Sequence, residues 1–407
     1  MDNSKTTSYR WIILGIVSIA AALSCYAQFV VAARAFELIP ALGLNMAAFA
    51  MIMSAPMFPN IFLGIPIGAL ADRFGVKSVV GIGLIIGVIG TTFRYMCYDF
   101  MSYFILMMLS GVGVMALNSN IGKIVGAWFE DKEVPTALGI YYAGCRAGMF
   151  LGMATGAMFP TAKASYVFVG ILLAISTVLW YILAKNHPVG APAAAPESVT
   201  KYIGQAARSK YVWVAGFACF FYWGGFMIFA GNLANALNVV SGISPVQAGW
   251  LSSMIFLGNT FGNLLAPIWA EKVGRMKPFM FACVVGSIGI NFGWSASETM
   301  LWPILLITGF LLGGAIPFFM VYPVVLPEVS KEAHGSAGGI IDCLMLAGAF
   351  CIPSFIIAPI SGNNFALMFG LATVCMVLVG VCTWILPELG RKGTYLKTTE
   401  SKQAVSN

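Results

Sequence analysis

A handful of charged side chains in this 407-residue sequence stand inside or at the edge of long apolar runs, where charge has a purpose. Arg146 lies near the centre of PTALGIYYAGCRAGMFLGMATGAMFP (135–160). Its guanidinium is a permanent cation whose planar fork suits a carboxylate or similar anion, two N–H groups to two oxygens. By helical rise it stands roughly 16 Å into a membrane-length helix, close to the bilayer midplane. A charge at that depth must face protein or water, and marks an ion or substrate path by default. Asp342 is the one carboxylate deep in any apolar run. It is the candidate for carrying a coupling proton, and equally a candidate ion-pair partner for Arg146 or Lys123. Lys123 lies roughly 8 Å inside the end of its run, where it either snorkels outward or serves as a second anion contact or gate. Arg34 and Glu37, three residues apart at the end of the first run, can pair on one helical face, as a surface pair or an outer gate.

Other chemistries are excluded. The sequence holds no GxxxxGK[ST] phosphate loop, so direct drive by ATP is not expected. Gly81-Ile-Gly83 sits in an apolar helix with no strand before it, which is packing rather than dinucleotide binding. The two histidines, His187 and His334, fall in expected loops, and the nine cysteines are scattered singly with no CxxC. No metal site, cofactor or catalytic triad is expected, and no enzyme activity.

The elements that position these residues are membrane helices. The chain is 59% hydrophobic and 9% charged with mean hydropathy +0.88, whereas a soluble domain carries about a quarter charged residues. No dyad alternation of the kind a β-barrel needs is present. Twelve helical spans are expected, at 11–33, 45–70, 76–96, 100–128, 135–159 and 164–184, then 211–238, 246–270, 277–296, 300–326, 336–360 and 365–386. The first is too long for a signal-peptide core. This gives an all-α membrane protein with an N-terminal six-helix bundle (1–184), a flexible cytoplasmic linker (185–210), a C-terminal bundle (211–389) and a polar, disordered tail (390–407). A short amphipathic helix is expected near Lys201–Lys210. Placing both termini in the cytoplasm puts 17 of the 22 basic residues on that side, so the +7 net charge reflects topology and lipid contact, not a nucleic-acid partner. Twelve spans suffice for a monomer in the cytoplasmic (inner) membrane.

Two patterns tie the helices together. Gly144, Gly148, Gly152 and Gly156 recur every four residues and form a ridge where another helix packs at backbone distance, with Arg146 turned to the opposite side. The halves also repeat. TALGIYYAGCRAGMF (136–150) aligns with SAGGIIDCLMLAGAF (336–350), DKE (131–133) with SKE (330–332), and ADRFGVK (71–77) with AEKVGRMK (270–277).

GALADRFGVK (68–77) resembles the signature G-x-x-x-D-R-x-G-R-[KR] of the major facilitator superfamily at Gly68, Asp72, Arg73, Gly75 and Lys77, while Val76 stands where arginine is usual. The resemblance implies two pseudo-symmetric six-helix bundles, alternating access and a midplane site, with Asp72 and Arg73 holding one face shut. The region from Gly87 to Arg94 and GVGVMALNSNIGKIVGAWF (111–129) is similar to the bacterial organic-anion branches, of oxalate–formate or monocarboxylate and cyanate or nitroimidazole type, although none of their binding motifs matches residue by residue. Spans one, four, seven and ten conventionally line the cavity in that family, which brings forward Tyr26, Asn120, Tyr222 and Tyr322, beside Tyr142 of span five. Pro56, Pro317, Pro323 and Pro353 are expected bend points. The function implied is secondary transport of a small organic anion, with a coupling proton or counter-anion. Efflux of amphipathic drugs and an anion receptor without flux are the alternatives.

Overall fold

The structure, a computed structural model, describes residues 3–130, 133–185, 202–326, 328–330 and 333–393. The tail beyond 393, most of the linker, and Asp131, Lys132, Lys331 and Glu332 of the two matched loops lie outside the described residues. Every regular element among those described is helical. Within hydrocarbon a helix satisfies each backbone N–H and C=O inside its own segment, and the long apolar runs have no cheaper conformation.

In chain order the first half comprises α1 (Asn3–Ala33), α2 (Ala35–Ala41), α3 (Met46–Ser54), α4 (Phe58–Phe74), α5 (Val76–Thr92), α6 (Phe100–Asn118), α7 (Ile121–Trp128), α8 (Val134–Thr155) and α9 (Ala162–Leu183). One turn, α10 (Ile203–Ala206), falls where the short helix near Lys201–Lys210 is expected. The second half comprises α11 (Lys210–Ser241), α12 (Pro245–Val273), α13 (Lys277–Gly293), α14 (Glu298–Gly313), α15 (Ile316–Val325), α16 (His334–Cys351), α17 (Ala358–Ser361) and α18 (Phe365–Ile385). The starts carry local signals: Asn45, Asp99, Thr161 and Asn364 accept from the third N–H of α3, α6, α9 and α18.

Prolines mark where the helices change. Pro56 lies in the 3₁₀ turn Ala55–Met57 between α3 and α4, and Pro353 opens a widened π turn, Ile352–Ile357. Pro317 begins α15 and Pro323 lies within it. The fourth and tenth spans are each broken, at Ser119–Asn120 between α6 and α7 and at Gly314–Ala315 between α14 and α15. Gly75 and Gly274, at matching places in the two signature loops, both take positive φ (84° and 77°) and donate back to Ala71 O and Ala270 O. Only glycine adopts that conformation without strain, so it ends α4 and α12 in the same way.

Among the described residues ten helices or helix pairs are long and apolar enough to cross a membrane, and α13 is a shorter apolar helix. Twelve were expected. α8 has the length, 22 residues, but its glycines, tyrosines and Arg146 lower its hydropathy.

The chain divides into two compact units, Met1–Pro196 with Ala234–Ser253, and Glu197–Leu233 with Met254–Asn407. Each is held by helices at backbone distance. In unit 1 a Cβ on Gly144, Gly148 or Gly152 of α8 would lie 3.0, 2.0 or 2.6 Å from the carbonyl oxygens of Ser18, Ala22 and Tyr26 on α1. Unit 2 uses the same three levels differently. A Cβ built on Gly348 of α16 would lie 2.0 Å from Phe220 O, but above and below it the glycine is on α11: Gly216 against Leu344 and Gly224 against Ile352. Gly258 and Gly262 of α12 and Gly309 and Gly313 of α14 form a second such seam, each with a carbonyl oxygen of the facing helix 2.1–2.4 Å from a built Cβ.

Candidate functional site

In unit 1 the polar residues of α8 divide by face. Tyr141 is fully buried and donates to Asn118 Oδ1 at 2.6 Å, while Asn118 itself is exposed. Tyr142 is 53% exposed and Arg146 half-buried, on the side away from the glycines. Arg146 Nη1 lies 3.8 Å from Met149 Sδ, one turn on. Tyr26 of α1 is half-buried and shares a 2.5 Å hydrogen bond with Thr155 Oγ1 at the end of α8. The face of Arg146 and Tyr142 offers a guanidinium and a phenol, donors suited to an oxyanion. Asn118 and Thr155 were not among the expected site residues; their signal was a polar group within an apolar run.

Asn120 is placed elsewhere. It is buried at the α6–α7 break, with Nδ2 donating to Ala116 O at 2.9 Å and Oδ1 without a hydrogen-bond partner among the described residues. It fills the interruption in its own helix rather than opening to solvent.

Lys123 forms an ion pair with Asp72 and also donates to Gly68 O at 2.7 Å. The signature loop at the end of α4 and the short helix α7 are thereby joined by side chains that are 33% and 38% exposed. Arg73 is exposed, its guanidinium 5.2 Å from the Phe74 ring. A second clip at this end was missed in the sequence: Arg10 binds Glu133 through two nitrogens, at 2.6 and 3.0 Å, and lies over the rings of Phe129 and Trp11. Nothing in the sequence near Arg10 points to this pair, because its partner is 123 residues away.

Arg34 and Glu37 pair as expected, but Arg34 is 2% exposed and cannot be a surface residue. Its Nη1 donates to Gly156 O and Phe159 O, and Glu37 accepts from Ala162 N. Arg94 is buried too; it donates to Ala27 O at 2.7 Å and to Gly90 O at 3.0 Å, with the Tyr166 ring 5.8 Å away.

In unit 2, Asp342 is exposed about a third of the way along the span made by α16 and the turns after it. Among the described residues it makes no hydrogen bond or ion pair. Tyr222 and Tyr322 are enclosed. Tyr222 donates to Leu312 O and accepts from Asn259 Nδ2, and Asn263 donates to Asn259 Oδ1, which joins α11, α12 and α14 by one polar chain. Tyr322 donates to Pro387 O at 2.7 Å. Both hydroxyls are committed within the unit. Among the described residues no group of three or more His, Cys, Asp and Glu could hold a metal.

The chain as a whole has counterparts among known proteins. The family model described as Major Facilitator Superfamily matches residues 12–240 and 216–406. The chain belongs to this superfamily. It is 23% identical over 354 residues to "MFS-type transporter 1" of Ophiocordyceps sp. (strain BCC 1869), covering 84% of this chain and 75% of that protein. It is 21% identical over 435 residues to the "Probable galactarate/D-glucarate transporter GarP" of Escherichia coli (strain K12), covering 93% and 95%. Among solved structures, a bacterial homolog of the human lysosomal transporter Spinster, inward-facing and occupied, superimposes with TM-score 0.72 at 15% identity over 93% of this chain and 96% of that one. As a superfamily member the chain is a multi-pass membrane protein and a secondary transporter of small solutes by alternating access, not an enzyme.

Proposed function

We propose that the solute is a small organic anion bearing a carboxylate, bound by Arg146 and moved by proton symport or anion exchange. The observation that carries this reading is the half-buried guanidinium midway along α8, on the face it shares with Tyr142 and away from the glycine contacts. A cation at that depth is retained for a partner or a solute, and its fork matches a carboxylate. The relative named for galactarate and D-glucarate supports an organic-acid branch. Those sugar acids are dicarboxylates, whereas one mid-span guanidinium fits a monocarboxylate best. Asp342 is the proton carrier in the symport form. Lys123–Asp72, beside Arg73, is the gate at one face, and Arg34–Glu37 steadies the other. The arrangement is twelve spans in two six-helix bundles, monomeric, with both termini cytoplasmic in the inner membrane.

Efflux of amphipathic cations is the second reading, favoured by Asp342, an exposed carboxylate inside its span, with no ion pair among the described residues.

Ligand-induced thermal stabilisation separates the two, because a ligand that binds only the folded state raises its apparent stability. Purified protein and Arg146→Ala are compared against monocarboxylates, dicarboxylates, inorganic anions and organic cations. A carboxylate that stabilises the wild type, with affinity for the variant lower by about 10- to 100-fold, supports the proposal. Stabilisation by cations alone, equal in the variant, overturns it. Counterflow in liposomes then distinguishes exchange from symport.

A further inference from the structure

The cavity of unit 2 where α13 begins and α18 has ended has a volume of about 380 Å³, and three cations line it: Arg275, Lys277 and Lys392. One carboxylate, Glu388, is also present, but it is already engaged. Its oxygens accept from the backbone N–H groups of Met276 and Gly390 at 2.8 and 2.9 Å and of Lys277 at 3.2 Å, so it caps the start of α13. Lys277 Nζ donates to Trp384 O at 2.9 Å. Arg275 and Lys392 are exposed and, among the described residues, have no side-chain hydrogen bond or ion pair.

The cavity opens beside apolar surface. Phe281 lines it and packs across Gly380 of α18. Beyond it, Val285 on α13 is 60% exposed, and Val381 and Trp384 on α18 are 51% and 79% exposed. On membrane-spanning helices such side chains face acyl chains, whereas basic side chains at a helix end reach the headgroup layer. Cations whose N–H groups have no partner among the described residues, next to an apolar wall, fit an amphiphile with an anionic head. They do not fit a soluble anion, for which the wall has no use.

We propose that this corner of unit 2 binds an anionic phospholipid. Arg275 and Lys392 hold the headgroup phosphate, and an acyl chain lies along Phe281, Val285 and Val381. The site is independent of which solute is carried.

Trp384 reports on it. The full chain, and Trp384→Phe, are reconstituted in phosphatidylcholine vesicles containing a small fraction of brominated phosphatidylglycerol or, separately, brominated phosphatidylcholine. The difference between the two proteins isolates quenching of Trp384. Each basic residue near an anionic surface contributes about fivefold in affinity, so phosphatidylglycerol should quench at least fivefold more effectively than phosphatidylcholine. In Arg275→Gln/Lys392→Gln that preference should fall to near unity. If that variant does not fold, wild type alone decides: the preference should fade when salt is raised from about 0.05 to 0.5 M, since the cations are exposed. Equal quenching by the two lipids, or a preference that survives both the double substitution and salt, overturns the site. Loss of the preference on adding inorganic phosphate at constant ionic strength would make it a soluble-anion site and overturn the lipid assignment.

Discussion

Arg34 and Glu37 share a hydrogen bond of 2.9 Å, and each grips the end of a different helix. The guanidinium takes the carbonyls of Gly156 and Phe159 beyond α8, at 3.0 and 2.9 Å, while the carboxylate takes the N–H of Ala162 at the start of α9. Cation on carbonyl end and anion on amide end is the arrangement that helix dipoles favour. Glu37→Gln removes the counter-charge of a guanidinium that is 2% exposed. Glu37 itself is 34% exposed, so the loss should lie between that of a buried and a surface pair, about 1–3 kcal/mol, seen as a lower thermal midpoint of the purified protein. An unchanged midpoint would show that the pair contributes nothing to holding unit 1.

The Lys123–Asp72 pair should behave differently. Both side chains are about a third exposed, so either single substitution should change stability by less than about 1 kcal/mol. If the pair gates transport, Asp72→Asn and Lys123→Gln should each alter the transport rate in the same direction, and the double variant should be no worse than either. Additive effects in that cycle would mean that the two residues act separately.

The glycine seams make a position-specific prediction. Gly148→Ala and Gly348→Ala drive a Cβ to 2.0 Å from the Ala22 and Phe220 carbonyl oxygens, and each should destabilise by about 1–3 kcal/mol or more. Gly139, on the same helix as Gly148, has nothing within 4 Å of a built Cβ. Gly139→Ala should be neutral, or gain up to about 1 kcal/mol from helix propensity. Equal losses at Gly139 and Gly148 would count against contact as the cause.

Asp99, which caps α6, gives a pH dependence. Hydrogen bonds from the backbone and side chain of Ser102 hold its carboxyl below the ordinary value of 3.8. A lowered folded-state pKa means the cap stabilises fully above that ordinary value and is lost as pH falls through the lower one. The stability gap between wild type and Asp99→Ala should therefore be constant from neutrality down to about pH 5 and shrink below pH 4. A gap that widens on acidification would contradict the assignment.

Asp342→Asn tests coupling. In the symport form it should leave counterflow of the solute in place and abolish accumulation driven by an imposed proton gradient. Gradient-driven accumulation at the wild-type level would remove Asp342 from the coupling path.

What the sequence conveyed depended on how local the interaction was. The signature loop and the glycine ridge are each written in residues close together along the chain, and both have direct structural counterparts. Arg34–Glu37 was expected as a pair for the same reason. Its burial was not, because the carbonyls it binds come from residues more than 120 positions away. Tyr222, Tyr322 and Asn120 lie on apolar helices with no strong polar stripe, and periodicity alone does not say which side of such a helix is enclosed. In unit 2 the seam alternates between α11 and α16, so an alignment anchored on the glycines of α8 finds only Gly348 and misses Gly216 and Gly224.

The breaks at Ser119–Asn120 and Gly314–Ala315 divide the fourth and tenth spans into a long stem and a short arm. The stems carry the glycine contacts that fix them in their units, while the arm α7 bears Lys123 and the arm α15 bears Tyr322. An arm of eight residues is about 12 Å long, and a swing of roughly 10° at its joint displaces the far end by about 2 Å. Lys123, three residues past the joint, moves by less than about 1 Å in the same swing, so its pair with Asp72 stays with the joint while the far end of α7 shifts. Each span is therefore a fixed stem carrying a short lever, whose free end travels furthest while the joint stays packed.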